Sequence, residues 1–347
     1  MDMSLPKVTI QIVTWNSLKY LPFTLKSIFS QTYRDFQVLV IDNNSQDGTI
    51  DFLRQDYPEV AVFQNKKNLG FARANNQGIR LLHSPYILFC NPDIILEANW
   101  LAEVMPKAED EANSQVGSYG GKLLKLKPID GEIGPDSQTT IIDSGGLQIL
   151  KNRKIVEIGA GEDSSKFNRD LEVFGHSGAL VLYQRATLED CLVKTKYQSQ
   201  GEYFDEDFFA YKEDIDLAWR SRLLGWQSIF ISQAVAYHIR SLAGSQSQGL
   251  AEMISHRKKQ SSLARYYSYR NHFLLLIKNE FSQNFIRDFW LIKWFEAKKA
   301  GYMLIFEGKN IKAWLAVIRM LPLMLAKRKA IFKKVRIKSS DIARWIK

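Results

Sequence analysis

The chain has 347 residues, 46% of them hydrophobic and 24% charged, and a formal net charge of +10. That is a globular composition with room for one large core plus an appendage, or for two domains. Its two cysteines, Cys90 and Cys191, exclude a disulfide framework and suit a reducing compartment.

The opening "MDMSLPKVTIQIVTWN" has no basic stretch ahead of its apolar run, so no signal peptide is expected. "KVTIQIVTW" (7–15) is β-branched and apolar and reads as a buried strand. "LKYLPFTLKSIFSQT" follows with helical spacing through Leu21, Leu25, Ile28 and Phe29. "FQVLVID" (36–42) is a second strand, the "NNSQDGT" cluster a turn, and "DGTIDFLRQDY" a helix. "VAVFQN", "FARANNQGIRLLH" and "YILFCN" supply a third strand, a third helix and a fourth strand. This alternation predicts an α/β fold with a mostly parallel, doubly wound sheet and helices on both faces. Ligands of such sheets sit beyond the carboxyl ends of the strands, and here those ends read "TWN", "DNNS", "NKKNLG" and "NPD". Residues 105–175 are looser, "FGHSGALVLYQRATLEDC" restores order, and the chain after about 250 reads as helical.

Several polar breaks carry candidate chemistry. Asp42 at the end of the second strand either accepts hydrogen bonds from a ribose or base or simply closes an Asx-turn. Neither G-x-G-x-x-G nor a P-loop is present, which argues against a dinucleotide cofactor. Gly70 precedes a helix with Asn68 at a plausible cap, an anion site or an ordinary helix start. "LFCNPDIIL" (88–96) interrupts an apolar run with Asn91, Pro92 and Asp93, either a strand-to-turn exit or a carboxylate delivered to a metal. In "FDEDFFAYKEDIDLAWRSRLLGW", Asp205, Glu206, Asp207, Glu213, Asp214 and Asp216 stand among aromatic residues. Acids at a helix start complement its dipole, yet a sheltered carboxylate is also a general base. Asp214 is the better base candidate and Asp216 the expected solvated partner. "AVAYHIRS" ends an apolar strand with His238, a structural histidine or a ligand for a hard or borderline cation.

Taken in order, "VTWNS", "VLVIDNNSQDGT", "NLGFARANNQGI", "FCNPDIIL", "HSGALVLYQRATLE", "YFDEDFFAYKEDIDLAWRSRLLGW" and "AVAYHIRS" resemble family 2 glycosyltransferases of the GT-A fold, closest to the rhamnosyltransferase-like, cell-surface-polysaccharide branch. The resemblance covers about residues 6–275, which implies a catalytic domain over 1–275 (nucleotide-sugar half to about 100, acceptor half beyond) and a basic helical extension over 276–347. It implies a nucleotide-sugar donor, a divalent cation (Mn or Mg), inversion at the transferred sugar, and a polyprenyl-diphosphate-linked saccharide acceptor. Carried over by residue, it implies that Thr14, Trp15 and Asp42 hold the base and ribose, Trp15 by its ring face. It further implies that Asn44, Asn68, Gly70, Asn91, Gly178 and Glu213 contact substrate, that Asp93 and His238 bind metal, and that Asp214 is the base. Asn91 stands where many relatives carry the first Asp of D-x-D, so metal affinity without the donor diphosphate is expected to be weak.

Residues 282–347 hold 16 Lys and Arg against 4 Asp and Glu, so the positive excess belongs to the tail. Mixed with Trp, Phe, Leu and Ile, these charges fit helices lying in an anionic membrane interface, or a packing appendage with a solvated basic face. No run reaches the ~18–20 apolar residues of a spanning helix. No base-reading module accompanies the basic tail, so nucleic acid is not the expected partner. The expected place of work is cytoplasmic, on the inner face of the membrane. Other readings are a catalytically silent sugar-nucleotide-binding or assembly protein of the same fold, and a nucleotidyltransferase. The nucleotidyltransferase would need a Gly-rich, basic phosphate loop near the N-terminus, and none is seen.

Overall fold

All seven residues of β1 (Val8–Thr14) are buried, as an apolar run without polar alternation requires when both faces of a strand are covered. In the computed structural model, which describes residues 5–129, 132–239 and 261–347, α1 (Leu21–Phe29), β2 (Phe36–Asp42), α2 (Thr49–Asp56), β3 (Ala61–Gln64), α3 (Phe71–Leu81) and β4 (Tyr86–Cys90) follow in the expected alternation. β2 and β4 flank β1 in parallel, and β3 extends the set as a solvent-exposed edge. Val8, Ile10 and Ile12 pack with Leu25 of α1 and Leu53 of α2, while Ile87 and Phe89 of β4 face Ala72 and Ile79 of α3 on the other side.

The chain continues through β5 (Ile94–Leu96), α4 (Trp100–Ala108), β6 (Val116–Leu126), β7 (Gln138–Ser144), β8 (Leu147–Ile149), β9 (Ile155–Glu157) and β10 (Leu171–Glu172). β11 (Leu180–Gln184), α5 (Arg185–Cys191), β12 (Val193–Thr195), β13 (Gln198–Glu202), α6 (Glu213–Leu223) and β14 (Gln227–His238) complete the mixed sheet and its cover. The main sheet has ten strands in the order β10-β14-β6-β11-β4-β1-β2-β3, with β5 pairing β14 and β7 pairing β6. β11 is antiparallel to both β4 and β6, and β14 is parallel to β6. The start of β11 and the end of β14 therefore join the carboxyl ends of β1–β4 on one edge.

The C-terminal helices are α7 (Ser262–Asn279), α8 (Ser282–Arg287), α9 (Phe289–Phe306), α10 (Lys312–Phe332) and α11 (Ser339–Ala343). Leu274 and Leu275 of α7, Met324 and Ile331 of α10 and Ile342 of α11 share one buried cluster with Trp219 and Leu223 of α6. A division at about residue 275 falls inside α7 and inside this cluster. The last two residues of the "AVAYHIRS" motif lie outside the described residues.

Candidate active site

The first three strand exits form one polar shelf. Asp42 is fully buried; its Oδ1 accepts from Thr14 Oγ1 at 2.9 Å and from Ser45 Oγ at 2.5 Å, and its Oδ2 from the Ser45 amide at 2.9 Å. Trp15 lies just beyond Thr14 with 58% of its surface exposed, and Asn44 sits in the left-handed turn that follows, at φ 66°. Asn68 does not cap α3. Its Oδ1 accepts from the Gly70 amide at 2.8 Å, and Gly70 itself is the residue before the first helical turn. Gly70 has φ +85°, and a Cβ there would come within 2.7 Å of the Phe209 carbonyl oxygen, so no larger residue fits without moving the loop. Asn43 ties the shelf together: its Nδ2 donates to the Gly70 carbonyl at 3.3 Å, and its Oδ1 accepts from Asn65 Nδ2 at 3.1 Å.

The fourth exit meets the end of β14. His238 is paired with Ile94 of β5, and the Ile239 amide donates to the Asp93 carbonyl at 3.0 Å. This register brings His238 Nε2 to 3.6 Å from Asp93 Oδ1. The other ring nitrogen, Nδ1, lies 2.9 Å from Oδ2 of Asp143, a fully buried carboxylate on β7. An anchored Nδ1 fixes the ring and turns Nε2 toward Asp93. Burial pulls the imidazole down, but the hydrogen bonds to Asp143 and Asp93 outweigh it and push the group up to about 9.

An imidazole nitrogen beside a carboxylate oxygen is a mixed donor set that a borderline cation such as Mn²⁺ accepts once the ring gives up its proton, while Mg²⁺ would rely on the Asp93 oxygens. Among the described residues no cluster of three or more His, Cys, Asp or Glu side chains suited to a metal occurs. A cation held here would take its remaining positions from ligand oxygens and water.

The acidic segment divides into three fates. Asp214, half-buried at the start of α6, accepts from the Gly178 amide through Oδ2 at 2.8 Å and from the Ile215 amide through Oδ1 at 2.7 Å. A Cβ on residue 178 would stand 2.8 Å from that of Asp214, so the glycine leaves room for the carboxylate. Burial raises the Asp214 carboxyl above its ordinary value against the pull of these two amides. Glu213 is buried, its Oε2 has no hydrogen-bond partner, and burial followed by the Asp214 charge pushes it up to about 8.

Glu206 turns to α3, where its Oε1 accepts from Asn76 Nδ2 at 3.0 Å. Asp205, Asp207 and Asp216 point away from the shelf into an ion network. Lys327 Nζ lies 2.6 Å from carboxylate oxygens of both Asp205 and Asp207, and Lys278 pairs with Asp205 and, at 2.9 Å, with Asp216. The expectation of a solvated Asp216 is therefore corrected. It has no exposed surface and also holds Arg220 Nε at 3.0 Å, because Lys278 and Asn279 at the end of α7 cover this side of α6, Asn279 Nδ2 donating to it at 2.8 Å.

Two backbone links bring these groups onto one surface. The Asn91 amide donates to the Ala179 carbonyl at 2.8 Å, joining the Asp93 turn to the Gly178–Asp214 contact, and the Ala72 amide donates to the Phe209 carbonyl at 3.3 Å, joining α3 to the loop before α6. Asp143, Asn43 and Asn271 were not legible as site residues. Asp143 offered one signal, an acid inside the apolar run "TTIIDS". The amides offered none.

Residues 9–133 match the family described as Glycosyl transferase family 2. The chain is 26% identical over 118 residues to an uncharacterized glycosyltransferase of Haemophilus influenzae, covering 33% of this chain and 36% of that relative. It is 26% identical over 243 residues to the N-acetylglucosaminyl-diphospho-decaprenol L-rhamnosyltransferase of Mycobacterium tuberculosis, covering 65% of this chain and 74% of that one. Against the solved structure of GalNAc-T7 with UDP, GalNAc and Mn²⁺ the TM-score is 0.56 at 15% identity, over 80% of this chain and 49% of that one, a likeness of fold.

Proposed function

We propose, from the match of residues 9–133 to glycosyl transferase family 2 and from the GT-A fold, that the chain is a metal-dependent, inverting transferase. It moves a sugar from a nucleotide-sugar donor to a lipid-linked saccharide at the inner face of the cytoplasmic membrane. The observation that carries the reading is the Asp214 carboxylate, held by two backbone amides on the strand edge that also presents Asp93 and His238. A lipid-linked acceptor is supported by the diphospho-decaprenol substrate in the name of the mycobacterial relative, and a cation by the Mn²⁺ of GalNAc-T7.

In this reading Thr14, Trp15, Asp42, Asn44, Asn68 and Gly70 receive the nucleoside, with the exposed Trp15 ring as its platform. Asn91, Gly178 and Glu213 border the sugar. Asp93 and His238 hold the cation, which when bound neutralises charge developing on the diphosphate. Asp214 takes the proton of the acceptor hydroxyl as its oxygen bonds to the anomeric carbon. The bond from that carbon to the diphosphate breaks on the opposite face, and the nucleoside diphosphate leaves with the electron pair. Asp214 suits the task because its two amide bonds fix the oxygens while burial keeps it more basic than an exposed Asp.

Asp214→Asn keeps the shape and removes the proton acceptor, so kcat should fall ~10²–10⁴-fold with donor affinity nearly unchanged. Asp93→Ala should remove the Mn²⁺- or Mg²⁺-dependent turnover while leaving the fold intact. The assay is a panel of nucleotide sugars, followed by release of the nucleoside diphosphate with and without chelator. Wild-type rates in both variants would overturn the assignment, and a wild-type chain that hydrolyses no donor would favour a silent binding protein.

A further inference from the structure

Helix α9 carries large apolar side chains on its outward side as well as on its inward one. Its inward stripe carries Ile292, Glu296 and Met303, and the buried Glu296 lies 2.9 Å from His272 Nε2 and 3.0 Å from Lys299 Nζ. Its outward side carries Trp290, Trp294 and Ile305, exposed by 80%, 66% and 75%, with the exposed Lys293 and Lys298 between them. The first half of α10 repeats the pattern: Ala313 is buried, whereas Leu315 and Ile318 are exposed by 51% and 65% beside the exposed Lys312 and Arg319.

The acids are withdrawn from this surface. Of the four acidic residues after 281, Asp288, Glu296 and Glu307 are buried, and Asp341 accepts from the Lys338 amide at the start of α11. What faces outward is apolar and cationic. Exposed large apolar side chains gathered on one helix after another in this way mark an interaction site. Tryptophan interleaved with lysine matches the interfacial layer of a bilayer, where the rings sit among headgroups and the ammonium groups meet anionic lipid. No described helix is long and apolar enough to cross a membrane, so this surface would lie on one.

Helix α7 connects this surface to the candidate site. Phe273 packs against Trp314 with ring centroids 5.4 Å apart, and His272 meets Glu296. Immediately before them in sequence, Asn271 Nδ2 donates to the carbonyls of Phe208, Ala210 and Tyr211 in the loop leading to Asp214.

We propose that the outward faces of α9 and α10 are a docking surface for anionic bilayer headgroups, which sets the active-site loop one helix away from the membrane. The purpose of such a surface rests on the lipid-linked acceptor proposed above; its binding does not. The test is flotation of the full chain, without sugar nucleotide, on vesicles of phosphatidylcholine alone or mixed with phosphatidylglycerol. The wild type should float with the mixed vesicles, with a blue shift of tryptophan emission. Trp290→Ser/Trp294→Ser/Ile305→Ser should lose at least ~10-fold of the bound fraction while keeping its melting temperature and donor hydrolysis, because only exposed apolar area is removed. Lys293→Gln/Lys298→Gln should weaken binding to the mixed vesicles. Equal flotation with both vesicle types would overturn the anionic specificity. No flotation with either would overturn the surface, and a dimer dissolved by the triple variant would assign the face to a second copy of the chain. An inert donor with flotation intact would count against the transfer reaction alone.

Discussion

Glu213 and Asp214 are sequence neighbours that carry charge differently. Glu213 is buried and pushed up to about 8 from an ordinary 4.5, so at neutral pH it is mostly protonated, while Asp214 has two amides to stabilise its ionised form. Gln is then a fair mimic of residue 213, and Glu213→Gln should leave kcat at pH 7 near wild type where Asp214→Asn does not. The raised value also fixes a sign for stability. The folded state binds a proton that the unfolded state has released, so this contribution is full below about 4.5 and is lost as pH rises through about 8. Melting temperatures of wild type and Glu213→Gln between pH 5 and 9 (a range set by these values) should therefore converge or cross as pH rises, the wild type losing ground. A pH-independent difference would mean that Glu213 is ionised in the folded protein across the whole window.

At the scale of elements, the active-site loop is held by a helix far from it in sequence. Phe209, Tyr211 and Lys212 have φ of 64°, 71° and 71°, conformations that non-glycine residues avoid, immediately before the α6 carboxylates. The loop keeps this shape because the buried Asn271 of α7 satisfies three of its carbonyls and Arg270 donates to those of Asp207 and Phe208. Asn271→Ala leaves those carbonyls without their donor and lets the loop relax. It should cost about 1–3 kcal/mol of stability. In the proposed reaction it should also lower kcat up to ~10²-fold by displacing Asp214, with less effect on donor KM. Chemical denaturation and steady-state kinetics on one variant check both halves; unchanged kcat would show that the loop holds itself.

Across the whole molecule, α10 is joined to the acidic segment by charge as well as by apolar packing. Lys327 is buried and meets Glu202, Asp205 and Asp207 at 2.5, 2.6 and 2.6 Å. Burial pushes Glu202 up to about 7, with Asp205 adding to it and Lys327 opposing. Removing Lys327 leaves the buried Glu202 without its cation and Asp205 with Lys278 alone. Lys327→Met should cost about 3–5 kcal/mol, as breaking a buried ion pair from one side usually does. Glu202 in that variant rises further, so the extra penalty grows above about 7, where wild-type Glu202 ionises, and is gone by about 7 and below, where Glu202 is protonated in both proteins. Urea titrations of both proteins at pH 8 and pH 5.5 measure the gap (values chosen on either side of that range). A gap that does not narrow at the lower pH would remove the ion network as its cause. The same network argues that cutting the chain before α8 would unfold the α6 region, so the docking surface is better tested by exposed point variants.

The sequence by itself determined the alternating parallel core and the edge on which polar exits collect, because apolar periodicity and turn residues are local signals that strand pairing then obeys. It also singled out Asp93 and His238 at the polar ends of apolar runs, and Asp214 within an acidic stretch flanked by aromatic residues. Only the tertiary structure decided which acids of "FDEDFFAYKEDID" face that edge and which face buried lysines, since their partners, Lys278 and Lys327, lie 73 and 122 positions from Asp205. Asp143, 95 positions from His238, and Asn271, 63 positions from Phe208, were out of reach for the same reason. The tail likewise mixes apolar and basic residues with no clear period. The buried side of α9 is the one where Glu296 meets His272 of α7 and where Ile292 and Met303 are covered, which leaves the tryptophans outside.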